Sequence, residues 1–259
     1  MRHNFLNYRY FTVIRMVHSP DDLVKSIRDM QSRRKDFRNR SLNNLILSKL
    51  KKGNMLDVGC AAGYLVYCAK QKGIDAVGLE PNKKLIEISK RYYKGLPIIN
   101  KSAEEIGEIK QKFDNITMVD VLEYTDDDNL VIKKIYNKLR PNGRFIINVP
   151  TLKFLHVERT KKVGDRRRYS RRELTSILKR NNFKIKEVRY WNFLGFWATL
   201  IIEKILKKEL STDLGGLRSD HPKGVKKYIN KLLSFWFGEI ENNINFGVGL
   251  SLLCVAEKK

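Results

Sequence analysis

Between residues 53 and 149 short apolar runs alternate with amphipathic stretches, joined by only a few residues each, and this alternation constrains the fold more than any other feature. Met55 to Val58, Ala76 to Leu79, Ile98 to Asn100, Ile116 to Val119 and Arg144 to Val149 read as strands. Residues 62–72, 81–94, a short piece after Ser102, and 127–139 read as helices. Crossovers of this kind return the chain in the same direction, so the strands form a mostly parallel sheet covered by helices on both faces. The expected fold class is α/β and doubly wound, with ligand groups at the carboxyl ends of the strands. Phe183 to Tyr190 is a further strand, and Gly247 to Ala256 alternates as a last one.

The segment LDVGCAAGYL, residues 56–65, joins the first strand to the first helix of this unit. Small residues at 59, 61, 62 and 63 let a ligand approach the backbone, where N–H groups of the new helix lie unpaired. Glu80 follows the second strand and Pro81 suits the first position of the next helix. A carboxylate at that edge accepts hydrogen bonds from both hydroxyls of a ribose and repels a phosphate. A nicotinamide dinucleotide site needs GxGxxG, but the corresponding positions are Gly59, Ala61 and Tyr64, and no GK[ST] of a P-loop follows.

These motifs resemble the class I S-adenosylmethionine-dependent methyltransferases of the generic type 11 kind, related to ubiquinone- and glycan-associated members. LDVGCAAGYL resembles the family's first motif, Glu80 its acidic residue, Ser102-Ala103-Glu104 its adenine-side motif, FDNITMVDVLEY its fourth-strand motif and LRPNGRFIINVP its fifth. The resemblance implies a seven-stranded sheet with an antiparallel last strand, here with a helical N-terminal extension and a helical insertion before that strand. It implies S-adenosyl-L-methionine as cofactor, its methionine end held by Asp57, Gly59, Cys60, Ala61 and Gly63. It further places the ribose at Glu80 beside Pro81, the adenine at Ala103 and Glu104, and Asp120, Val121 and Leu122 near the sulfonium. Two departures stand out: Ala61 occupies the usual central glycine, and Tyr124 stands where a His often follows the LE pair.

Methyl transfer from a sulfonium needs positioning above all, with a base only where the acceptor proton leaves early. Glu123, His156 and Tyr169 are the candidate bases, against the alternatives that Glu123 orients a loop, His156 is a surface residue and Tyr169 packs under the next helix. Some relatives bind a metal through two acids and a His at this motif; with Tyr at 124 the third ligand is missing, so no metal is expected. Arg167, Arg168 and Tyr169 belong to an RRYS-type segment that borders the acceptor pocket in relatives, where Arg forks suit phosphate or carboxylate. A solvated basic loop is the alternative.

Charge divides the chain into three. Residues 1–52, an N-terminal helical and basic extension, hold 13 Lys+Arg against 4 Asp+Glu; residues 53–150, the cofactor core, hold 15 against 13; residues 151–259 hold 24 against 11. An anionic partner is therefore met by the flanks, and the core handles something of little net charge. In the N-terminal region an aromatic and basic arm precedes a capped helix from Ser19, with a break expected near Asn39 to Ser41 before a second helix. In the third region, the insertion 191–246 holds all three tryptophans, and its apolar runs are too short to span a bilayer. Its aromatics, flanked by Lys204, Lys207, Lys208, Lys226, Lys227 and Lys231, fit an interfacial helix; a dimer interface or a cap on the substrate cleft are the alternatives.

The expected acceptor is a small molecule, glycan or lipid-linked compound, anionic and met at the membrane surface. An RNA methyltransferase is the alternative, weakened by the lack of a [DN]PP[YF] motif and of a recognisable RNA-binding module. Cys60, Cys68 and Cys254 form no CxxC pair and no signal-peptide pattern precedes them, which fits buried hydrophobes in a reducing cytoplasm, with the protein peripheral on the membrane.

Overall fold

The structure is a computed structural model that describes residues 36–152, 167–205 and 224–259. The expectations for the N-terminal arm, the helix from Ser19, His156, and the basic residues of 153–166 and 206–223 lie outside the described residues. Seven strands form one sheet in the order β3-β2-β1-β4-β5-β7-β6. They are β1 (Met55–Val58), β2 (Ala76–Leu79), β3 (Ile98–Ile99), β4 (Phe113–Val119), β5 (Leu139–Pro150), β6 (Phe183–Trp191) and β7 (Ser251–Lys258). β1 pairs in parallel with β2 and β4, β2 with β3, and β4 with β5, whereas β7 runs antiparallel to both β5 and β6. β6 therefore points the same way as β1 to β5, and one edge of the sheet collects the carboxyl ends of six strands.

The helices are α1 (Phe37–Ser48), α2 (Tyr64–Gln71), α3 (Lys83–Tyr92), α4 (Asp128–Lys138), α5 (Arg171–Arg180), α6 (Phe193–Thr199) and α7 (Val225–Phe235). Period-two alternation sends Phe145, Ile147, Leu252 and Cys254 to one face of the sheet and Ile146, Leu253 and Val255 to the other. The first face packs against α4, α5 and the 3₁₀ helix Ala103–Glu108, through Ile106, Val131, Ile132, Ile135, Leu174 and Leu178. The second packs against α1 and α2 through Leu45, Ile46, Leu65 and Val66. Fully burying each of these aliphatic side chains is worth about 1.5–3 kcal/mol, so both layers are firmly attached.

Several boundaries differ from the sequence reading. Pro81 does not open α3; the Asn82 side chain takes the cap by accepting from the Lys84 N–H at 2.9 Å, and the helix starts two residues later. α1 runs through Asn39 to Ser41 without the expected break, because Asp36 caps it and Ser41 and Leu42 are already buried. The last strand begins at Ser251 rather than Gly247, since the chain at Gly249 lies against the Trp191 backbone with no room for a Cβ. Extension and insertion also meet: Phe37 and Phe237 rings lie 5.4 Å apart, and the Asn242 amide donates to the Ser41 carbonyl at 2.9 Å.

Candidate active site

The first element of the site is the turn after β1. Gly59 has φ of +71° and Gly63, which caps α2, has φ of +80°. A Cβ at Gly59 would collide with Cγ2 of Val121, and one at Gly63 with Cδ2 of Leu96, so both positions need glycine for space as well as for conformation. Ala61 lies between them at φ of +51°, with its methyl buried. An L-residue in this region costs roughly 1–2 kcal/mol. The loop holds that strain because the Ala61 N–H donates to Glu80 Oε2 at 2.9 Å, while the Gly59 and Cys60 N–H groups donate to the Leu79 carbonyl at 2.8 and 3.0 Å.

Glu80 is wholly buried at the end of β2. Its second oxygen accepts from the Asn82 N–H at 2.9 Å, and its backbone carbonyl accepts from the Asn100 amide at 3.0 Å. The carboxylate thus spans the glycine turn and the approach to α3, with one backbone N–H on each oxygen. Burial pushes its pKa up to about 7 against the two N–H donors that oppose the rise. Asp57, buried beside it on β1, is likewise pushed up to about 7, mainly by burial and also by Glu80, while the hydroxyl of Thr117 donates to it at 2.7 Å and works the other way. Two neighbouring buried acids with raised pKa values mark this edge of the sheet as a candidate ligand site.

β4 supplies the opposite wall. Asp120 follows it at φ of +53°, its N–H donating to the Asn148 carbonyl at 2.9 Å and its Oδ1 accepting from the Asn148 amide at 2.9 Å. Val121 is the residue that Gly59 touches, Leu122 is buried in the core, and Glu123 is buried on the 3₁₀ turn Leu122–Tyr124. Ala103 and Glu104 open the 3₁₀ helix after β3, where a capping box between Ser102 and Glu105 fixes the turn. The expected cofactor residues from Asp57 to Leu122 all fall on the ends of β1 to β4 and the turns that follow them. Thr117, Asn148 and Asn100 were missed, although each is a polar residue within or beside an apolar strand and Thr117 lies opposite Asp57 in the β1–β4 register.

The basic segment is arranged otherwise than expected. Arg167 directs its fork at the backbone, donating to the Thr125 and Asp126 carbonyls at 2.7 Å each, and Arg168 is buried with Nη1 donating to the Thr151 carbonyl at 3.0 Å. These guanidinium groups brace the turns after β4 and β5 instead of reaching out as free anion clamps. Tyr169 is buried in the core and its hydroxyl donates to Asp128 Oδ2 at 3.0 Å. Burial, with Asp128 next in effect, pushes that phenol above its ordinary range, so its geometry is that of a packed residue beneath α5. Among the described residues no group of three or more His, Cys, Asp or Glu side chains could hold a metal ion, and all three cysteines are free thiols.

Sheet order 3-2-1-4-5-7-6, a glycine turn after the first strand and a buried acid after the second define a class I methyltransferase with a Rossmann-like core. The chain belongs to the S-adenosylmethionine-dependent methyltransferases: residues 26–188 match the family described as "Methyltransferase domain". It is 31% identical over 175 residues to the ubiquinone biosynthesis O-methyltransferase of Pelagibacter ubique, covering 61% of this chain and 71% of the relative. It is 26% identical over 154 residues to the mitochondrial ubiquinone biosynthesis O-methyltransferase of Schizosaccharomyces pombe, covering 52% of this chain and 56% of the relative, so it spans little more than half of that protein. In fold it is similar to a methyltransferase of Thermotoga maritima, described as a possible histamine N-methyltransferase, with a TM-score of 0.60 at 18% identity over 96% of this chain and 98% of that one. A methyltransferase of Archaeoglobus fulgidus is similar with a TM-score of 0.54 at 14% identity over 83% of this chain and 94% of that one.

The family's cofactor is S-adenosyl-L-methionine, and the residues present fit it: the turn has no room for side chains at Gly59 and Gly63, and Asp57 and Glu80 are buried acids at the edge facing it.

Proposed function

We propose that this protein methylates a hydroxyl group of a small-molecule or lipid-linked acceptor, such as a quinone precursor or a carrier-bound glycan. The observation that supports this most is the likeness to ubiquinone biosynthesis O-methyltransferases, over 175 residues for one and 154 for the other. The sequence after β4, DVLEY, offers no [DN]PP[YF] motif of base-amine methylation, which counts against the RNA reading.

When bound, S-adenosyl-L-methionine supplies a methyl group on a positively charged sulfur, already electrophilic. The chain's own task is to orient and to exclude water. Asp57 and the turn from Gly59 to Gly63 would hold one end of the cofactor, Glu80 would accept hydrogen bonds from its ribose hydroxyls, Ala103 and Glu104 would border its adenine, and Asp120 to Leu122 would lie near its sulfonium. Arg167 and Arg168 act as positioning residues, fixing the two turns that frame the acceptor. Glu123 is the base we assign, because its turn adjoins Val121, whose side chain lies against the glycine turn. A proton leaving an acceptor hydroxyl would rest on its carboxylate.

The test is methyl-labelled cofactor with three acceptor pools: a hydroxylated aromatic with an isoprenoid tail, a polyprenyl-linked glycan, and bulk RNA. Label extracted into organic solvent as an alkali-stable methyl ether supports the proposal. Label recovered only in precipitated RNA would overturn it.

A further inference from the structure

α7 carries an apolar stripe that no other described residue covers. Val225, Tyr228, Ile229, Leu232 and Phe235 recur at helical spacing, and Val225, Tyr228 and Leu232 are 74%, 71% and 68% exposed. The opposite side of the helix faces inward, with Leu233, and Trp236 just beyond, packed on the core layer that includes α1. A helix apolar on both sides, one inward and one outward, has a second environment to meet. Lys227 and Lys231, one turn apart and exposed, flank the outward stripe, and Val225–Phe235 contains no acidic residue.

The stripe's place in the fold is fixed by buried bonds. Beyond the π-helical turn Trp236–Glu241, Glu241 is buried and accepts from the Phe193 N–H and the Trp236 indole, both at 2.9 Å. Arg189 on β6 donates to the carbonyls of Glu241, Asn242 and Ile244 at 2.6, 2.7 and 2.8 Å. These contacts anchor the insertion at the carboxyl end of β6, the edge where the cofactor turns lie. The tryptophans are not the outward face: Trp191 is buried, and Trp236 is stacked with Phe246 at 5.6 Å, leaving Trp197 exposed on α6 with Ile201 one turn on.

We infer that α7 lays this stripe on an anionic lipid surface, with Lys227 and Lys231 at the headgroups. Charge decides between lipid and a second copy. The chain carries a net charge of +24, and the region that includes α7 holds 24 Lys+Arg against 11 Asp+Glu, so two copies face to face would repel where anionic lipid attracts. Among the described residues no helix is long and apolar enough to cross a membrane, which fits a helix lying in the interface plane. Docking is independent of the acceptor; only the idea that it brings the cleft to a lipid-borne acceptor rests on the function proposed for the site.

The experiment is sedimentation of the full chain with phosphatidylcholine vesicles, with and without phosphatidylglycerol, at low and high salt, with no methyl acceptor present. Wild type is expected in the pellet with the anionic vesicles and in the supernatant with the neutral ones. Lys227→Gln with Lys231→Gln should lower partitioning about thirty-fold, at roughly 1 kcal/mol for each lysine. Leu232→Ser with Phe235→Ser, at exposed positions, should lower it comparably or more while cofactor affinity stays unchanged, which checks the fold. Wild type in the supernatant with both vesicle types overturns the inference. So does equal binding by wild type and both double variants, or a concentration-dependent dimer that Leu232→Ser with Phe235→Ser abolishes.

Discussion

Replacing Glu80 by glutamine separates the two duties that the structure gives this side chain. The carboxylate accepts from the Ala61 and Asn82 N–H groups at 2.9 Å each and is the acceptor proposed for the ribose diol. Glutamine keeps one carbonyl oxygen for one of those N–H groups, but turns an NH₂ towards the other. Hydrogen bonds to a charged group are worth about 1.5–3 kcal/mol, so losing one ribose contact raises the dissociation constant roughly ten- to 150-fold. Stability responds differently. The variant loses a bond to a backbone donor, yet it is relieved of a buried acid whose pKa has been pushed up to about 7, and these two changes of about 1–3 kcal/mol oppose each other. Glu80→Ala, by contrast, strands both N–H donors and should lose about 2–4 kcal/mol of stability as well as cofactor binding. Calorimetric titration paired with thermal unfolding reads both quantities. Unchanged affinity in a folded Glu80→Gln protein would show that the carboxylate is only a cap for the turn, and the reasoning from burial to ribose recognition would fail.

The remaining predictions concern the same edge of the sheet. Ala61→Gly should keep cofactor affinity within a few-fold and leave stability nearly unchanged, because relief of roughly 1–2 kcal/mol of left-handed strain is offset by the added freedom of glycine in the unfolded chain; Ala61→Val, with a branched side chain at φ of +51°, should abolish binding, and titration of both variants checks this. Asp57 and Glu80 have pKa values raised to about 7 from 3.8 and 4.5, so between about pH 4 and pH 7 the native state holds protons that the unfolded chain has released. Denaturant unfolding of the ligand-free protein should accordingly show stability falling as pH rises across that window and levelling above it, while affinity for the cofactor falls as pH drops through 7. Arg167→Ala should slow turnover and lower stability by about 1–3 kcal/mol while leaving cofactor affinity within two-fold, since its fork holds the Thr125 and Asp126 carbonyls and touches no expected cofactor residue; a loss of cofactor binding on titration would assign that segment to the cofactor site.

The cofactor half of the site was legible because it is written in local chemistry. Gly59, Gly63 and Glu80 occupy positions whose backbone or burial admits few alternatives, and strand–helix alternation alone puts them on one edge of the sheet. What escaped depends on contacts between distant segments. Thr117 could be assigned to Asp57 only with the β1–β4 register in hand, and Asn148 to Asp120 only with that of β4 and β5. Arg167 and Arg168 look in sequence like anion clamps, because guanidinium chemistry suits phosphate; their carbonyl partners lie 42, 41 and 17 residues away, a distance over which composition carries no information. The tryptophans divide: Trp197 is exposed on α6, whereas the buried Glu241 draws Trp236 inward, and on α7 the exposed face falls to Val225, Tyr228 and Leu232.

Titrating the wild-type protein with S-adenosyl-L-methionine, with its demethylated product and with NAD tests the central claim most directly, because it needs no knowledge of the acceptor. One binding site is expected for each of the first two ligands, and no heat with NAD, whose pyrophosphate lacks the third glycine it would need at Tyr64. Folded protein that gives no heat with S-adenosyl-L-methionine, or that binds NAD in its place, would contradict it.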